Sequence, residues 1–173
     1  MKRITFLLAM VLVPLLASAQ SAAIDRLIDK YSGQEGVTVV NISPDLFQIM
    51  SAMDIKEVKD ADFPVDKLTA VKILAIESQE VLKGANFYEE VTSGMNTSDF
   101  AEVMTVKDGG EDVNMWMKTS GQQILEFLLV VSSPDEGVVV YISGDFNMND
   151  IQGLASSFGG MEQLQGLENM EIN

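Results

Sequence analysis

The chain reads as an α+β domain: one mostly antiparallel sheet of about six strands, with helices packed chiefly on one face. Three observations predict it. β-Branched runs at 37–42 and 68–76 are separated by segments of helical spacing. Four more strands follow in close succession between residues 100 and 143, joined by turn residues rather than helices. Residues 128–131 and 138–142 are continuously apolar, the pattern of central strands covered on both faces or deep under helices.

Each element has a local reason. Ile24, Leu27, Ile28 and Tyr31 recur at helical spacing, and Gly33 follows, which predicts a helix over 21–31. Val37, Val39, Val40 and Ile42 predict a strand. Ser43-Pro44-Asp45 then starts a helix: a capping hydroxyl, a proline at the first helical position and an acid near the positive end of the dipole. Leu46, Ile49, Met50 and Met53 form its apolar stripe. Residues 56–66 are polar, carry Pro64 and read as a loop, and 68–76 is the second strand. Residues 78–93 suit one helix, with Val81, Ala85, Tyr88 and Val91 toward the core, although Gly84 costs it about 1 kcal/mol against alanine.

The meander comes next. Strands are expected over 100–107, 113–118, 124–132 and 138–143. Asp108-Gly109-Gly110-Glu111 joins the first two and Ser133-Pro134-Asp135-Glu136-Gly137 the last two, in each case with glycine free to take positive φ. Asp145 to Asn149 leads into a helix carrying Ile151, Leu154 and Phe158. Residues 159–173 have weak periodicity and are expected to form a partly ordered tail.

The address is written at the start. Lys2 and Arg3 precede an apolar run from Ile4 to Leu16, and Ala17-Ser18-Ala19 gives a small-x-small pattern before Gln20. This predicts a secretory signal peptide over 1–19, cut between Ala19 and Gln20. The run is too short to span a bilayer, and no later apolar run is long enough either, so no integral segment is expected after its removal. One domain over 20–158 in a periplasmic or secreted protein follows. The absence of cysteine leaves the core, not disulfides, to hold it together, and excludes lipid attachment at the cleavage site.

Composition narrows the chemistry. The formal charge is −15, and becomes −17 once Lys2 and Arg3 leave. Such a chain repels phosphate backbones, so nucleic acid is not an expected partner. There is no histidine, which removes the commonest general base and the common zinc ligand sets. No catalytic residue, metal site or cofactor is expected, and enzymatic activity is not.

Candidate site residues remain. Asp145, Asn147 and Asn149 place oxygen donors at alternating positions, like the start of an EF-hand loop. The match then fails: Asp150 stands where the turn wants glycine, and Ser156 where a bidentate glutamate belongs. Asn147, Asn149 or Asp150 capping the next helix is the favoured reading. The acid pairs Glu89-Glu90, Glu111-Asp112 and Asp135-Glu136 read as solvated surface. Trp116 shares a strand face with Asn114 and Lys118, which places it either at an exposed contact site or beneath a helix or the tail. The methionines are too dispersed for a copper site and suit core filling.

The second half resembles the bacterial family catalogued as domain of unknown function 4252. The residues that carry the likeness are Asp99-Phe-Ala-Glu-Val-Met-Thr-Val-Lys-Asp-Gly-Gly110, Val113-Asn-Met-Trp-Met-Lys118, Ile124-Leu-Glu-Phe-Leu-Leu-Val-Val131 and Val140-Tyr-Ile-Ser-Gly-Asp145. With the leader and first helix the likeness would cover nearly all of residues 20–173. It implies a small exported protein of Gram-negative bacteria without an assigned activity, and offers no functional residues to carry over. The expectation is a non-catalytic envelope protein that binds another macromolecule or senses a small ligand. A carbohydrate- or cation-binding module using Trp116 or the 145–150 loop is the alternative, and a carboxylate-dependent hydrolase the third.

Overall fold

A computed structural model of the chain describes residues 18–52, 67–147 and 150. Its elements are α1 (Ser18–Tyr31), β1 (Val37–Ile42), α2 (Pro44–Ala52), β2 (Leu68–Ile76), α3 (Gln79–Leu82), α4 (Phe87–Ser93), a 3-10 turn (Thr97–Asp99), β3 (Ala101–Asp108), β4 (Glu111–Ser120), β5 (Gln123–Ser132) and β6 (Gly137–Phe146). The strands form one six-stranded sheet in the order β1-β2-β6-β5-β4-β3, antiparallel at each pairing. This is the expected α+β architecture.

The topology follows from one crossing. After β2 the chain passes over the sheet as α3 and α4 and descends at the far edge as β3. It then meanders back through β4 and β5 until β6 closes onto β2. The edges are therefore β1 and β3, and the α4–β3 junction lies at one of them.

The apolar runs at 128–131 and 138–142 belong to β5 and β6, in the middle of the sheet. Alternation sends their side chains into two cores. Leu128, Val130, Val139 and Tyr141 face the helices, together with Leu74 and Ile76 of β2 and Trp116 of β4. Against them pack Ile24, Leu27, Ile28 and Tyr31 of α1, Leu82 of α3, and Phe87 and Val91 of α4. Each such side chain contributes about 1.5–3 kcal/mol on burial. The opposite face carries Val71, Val113, Met115, Met117, Phe127, Leu129 and Ile142, all buried, and the methionines Met115 and Met117 fill space there.

One helix is expected over 78–93, and the structure corrects this to two. Lys83 (φ 53°) and Gly84 (φ 73°) both adopt left-handed backbone, which ends α3. Asn86 then starts α4 afresh, its side chain accepting from the Glu89 N–H at 3.2 Å. The break turns Phe87 inward, where its ring lies against Gly137. A Cβ on Gly137 would sit 2.7 Å from the Phe87 Cγ. Ala85, placed in the gap, is exposed. The expected loop at 56–66, helix beyond 150 and tail at 159–173 lie outside the described residues, as does the leader through residue 17.

Candidate functional site

Two arrangements on the helix-covered side of the sheet hold chemistry-bearing groups. The first is a row of polar side chains that crosses four strands. Lys72 on β2 lies opposite Tyr141 on β6, and Lys118 on β4 lies opposite Glu126 on β5. The Tyr141 hydroxyl donates to Glu126 Oε2 at 2.9 Å, and the Lys118 ammonium lies 3.0 Å from Glu126 Oε1. At the other end Lys72 donates to Ser21 Oγ at 2.6 Å and to Asp25 Oδ1 at 2.5 Å, both on α1. Burial pushes the Tyr141 hydroxyl well above the usual tyrosine value, and the Glu126 charge and its hydrogen bond push the same way. Among the described residues no buried side-chain nitrogen or oxygen lacks a partner. The row is thus internally satisfied, and its Lys72 end ties α1 to β2.

The second arrangement is open. A cleft of about 630 Å³ lies between α4 and the start of β3, within the size range of ligand sites. Helical spacing builds one wall from Tyr88 and Thr92 and from Glu89 and Ser93, two pairs four residues apart. Phe100 and Glu102 supply the other wall, and Trp116 closes the floor. β3–β4 pairing sets Glu102 directly opposite Trp116, and a bulge follows at Val103. Trp116 is 5 % exposed, because Tyr88 covers it with ring centroids 5.8 Å apart and planes inclined at 33°.

The carboxylates of this cleft differ from the others nearby. Glu90 accepts from Lys30 and from the Tyr31 hydroxyl, tying α4 to α1. Glu89 and Glu102 are exposed and form no ion pair among the described residues; Glu102 only accepts from the Thr105 hydroxyl. The cleft therefore has an aromatic floor and an unneutralised acidic rim. Such a combination attracts a cation that also carries apolar surface.

Comparison with known proteins adds the family. The sequence pattern of the family described as Domain of unknown function (DUF4252) matches residues 31–154. The chain belongs to that family. No curated protein and no solved structure matches it. The DUF4252 match runs from the last residue of α1 through β6, so it contains all six strands and every residue of the cleft.

The predicted binding residues that the structure describes fall in three places in this DUF4252 domain. Trp116 is at the cleft floor, beneath α4. Asp145 is exposed and still within β6. Asn147 and Asp150 cap each other: the Asp150 N–H donates to Asn147 Oδ1 at 3.1 Å, and the Asn147 N–H donates to Asp150 Oδ2 at 2.7 Å. Lys67 donates to both Asp150 carboxylate oxygens, at 3.0 and 2.8 Å. Partial burial alone would raise the Asp150 carboxyl, but the Asn147 N–H and the Lys67 ammonium outweigh it and hold the group below the usual range. Asn149 lies outside the described residues. Ala19 and Gln20 lie in the first turn of α1. No group of three or more metal-ligating acids is found among the described residues, and no described helix is long and apolar enough to cross a membrane.

Sequence reading missed Tyr88, Glu89, Phe100 and Glu102. Glu89 was indistinguishable from Glu90 as one of a solvated pair, yet one turns to α1 and the other to the cleft. The usable signal was the spacing of Tyr88, Glu89 and Thr92 on a short helix that precedes the Trp116 hairpin.

Proposed function

We propose that this DUF4252 protein is a non-catalytic binding module of the bacterial envelope, and that its site is the cleft between α4 and β3. The ligand is a cation on an apolar stem, with a lysine or arginine side chain as the simplest example. One observation carries the reading: Glu89 and Glu102 stand unpaired above Tyr88, Phe100 and Trp116 in one open cleft. An ammonium between the two carboxylates would gain charge pairing while its methylenes cover the rings. The chain's formal charge of −15 works in the same direction by drawing cationic ligands toward the protein. The signal-like leader at 1–19 supports an exported location.

Trp116 is the only tryptophan, so its emission reports on the cleft. Titration with Nα-acetyl-lysine amide is expected to change that emission saturably. The Glu89→Gln/Glu102→Gln variant, whose core is untouched, is expected to lose the response. An unchanged response in the variant would sink the reading.

A carbohydrate is the second reading, favoured by three aromatic rings in one cleft. It predicts that neutral oligosaccharides change the emission and that acetyl-lysine amide does not. The cation version at 145–150 has less support, because the Lys67 ammonium already occupies the Asp150 carboxylate.

A further inference from the structure

We infer that the cleft's cation is carried by an extended polypeptide that adds to β3 as a further strand, and that this polypeptide alternates basic and apolar residues. The inference rests on the cleft reading above and names the partner.

Three features of β3 lead to it. β3 is the last strand in the sheet order, and among the described residues its only strand partner is β4. Its outer backbone N–H and C=O groups are the kind of edge that an added strand pairs with. Ala101–Asp108 is exposed except at Met104, so a partner can reach that edge. And Phe100 and Glu102, on either side of the first β3 residue, are cleft wall, so a chain paired along β3 passes the cleft mouth.

The two faces of β3 then specify the partner's pattern. Glu102 and Thr105 lie opposite Trp116 and Asn114, on the helix-covered face where the cleft opens. Val106 lies opposite Val113, on the other face, and is 43 % exposed; Val103 at the bulge is 37 % exposed. These are two of the few large hydrophobics left open on the described surface, and they share one short edge. An added strand presents alternate side chains to the two faces. Basic residues on one face meet Glu89 and Glu102, and apolar residues on the other cover Val103 and Val106. A second copy of this chain is a poor occupant, since it brings the same charge of −15 to the edge.

The test uses the full chain and a capped peptide of alternating lysine and valine, followed by Trp116 emission and by calorimetry. In a strand all lysine amides point to one edge and all valine amides to the other. N-methylation of one of these sets is expected to weaken binding by at least about tenfold, the loss of a single backbone bond being of that order, while the other set is tolerated. Which set matters reports whether the added strand runs parallel or antiparallel to β3. Equal effects of the two sets, or no effect of either, overturn strand addition. If acetyl-lysine amide still binds in that case, the cleft reading survives and only the extended partner is lost. If neither probe binds, both readings fail. Sedimentation showing that the free protein dimerises, with dimerisation abolished by Val106→Lys, would also overturn the inference, because a second copy would then own the edge.

Discussion

The Tyr141 hydroxyl donates to Glu126 Oε2 at 2.9 Å between the two central strands, beneath α1. Tyr141 shares the Glu126 carboxylate with Lys118, and Lys72 stands opposite Tyr141 on β2. Tyr141→Phe removes one hydrogen bond and leaves Glu126 with Lys118, so at pH 7 it is expected to cost about 1 kcal/mol in urea unfolding. The pH dependence has a definite sign. The folded tyrosine keeps its proton while the unfolded chain loses its own above about pH 10. Stability from this group is therefore whole below that pH and shrinks as pH climbs toward the raised folded value. The gap between wild type and Tyr141→Phe should narrow between pH 7 and 11; a constant gap would contradict the assignment.

Asp150 titrates in the opposite sense. Its carboxyl is held below the usual range, so its contribution is present above the unfolded value near 4 and is lost as pH falls through the lower folded value. Asp150→Asn is expected to cost about 0.5–1 kcal/mol at pH 7, since Lys67 is partly solvated and screening weakens the pair. The cost should vanish in acid. Stability curves of the two proteins that stay parallel down to about pH 2 would refute it.

Lys72 and Asp25 predict an asymmetry. The Lys72 side chain is buried, whereas Asp25 is half exposed. Asp25→Ala strands a buried ammonium with only Ser21 Oγ and is expected to cost about 1–3 kcal/mol. Lys72→Met removes the charge together with its need for a partner, and should cost less than Asp25→Ala. Thermal unfolding of both variants decides it; the reverse order would show that the pair, rather than the burial of its cation, dominates.

Gly137→Ala tests the contact that the helix break creates. The new methyl meets the Phe87 ring at 2.7–2.9 Å, backed by the core around Val91 and Leu82. A loss of about 1–3 kcal/mol is expected, and Phe87→Leu in the same chain should recover part of it. If Gly137→Ala unfolds like the wild type, Phe87 does not pack where the structure places it.

How much was legible beforehand depends on the range of the interaction. β1 and β2 were readable to the residue because runs rich in β-branched residues need no partner to be recognised. The Asn147–Asp150 cap was equally local. The break at Lys83 was not, since a lysine in left-handed backbone is unfavourable alone and is held here by the packing of Leu82 and Phe87 on either side. Trp116 shows the limit most clearly. Strand alternation assigned its face correctly, but whether that face is open depended on Tyr88, which arrives from the far side of a crossing connection. Glu102 reaches the cleft only through its pairing with Trp116 in the β3–β4 register.

One binding surface made of the α4–β3 cleft and its strand edge would show itself in amide hydrogen exchange with and without the lysine–valine peptide. Slowed exchange confined to residues 87–93 and 101–108 is predicted, with β1 unaffected. Protection at the β1 edge instead, or no change at a saturating peptide concentration, would contradict it.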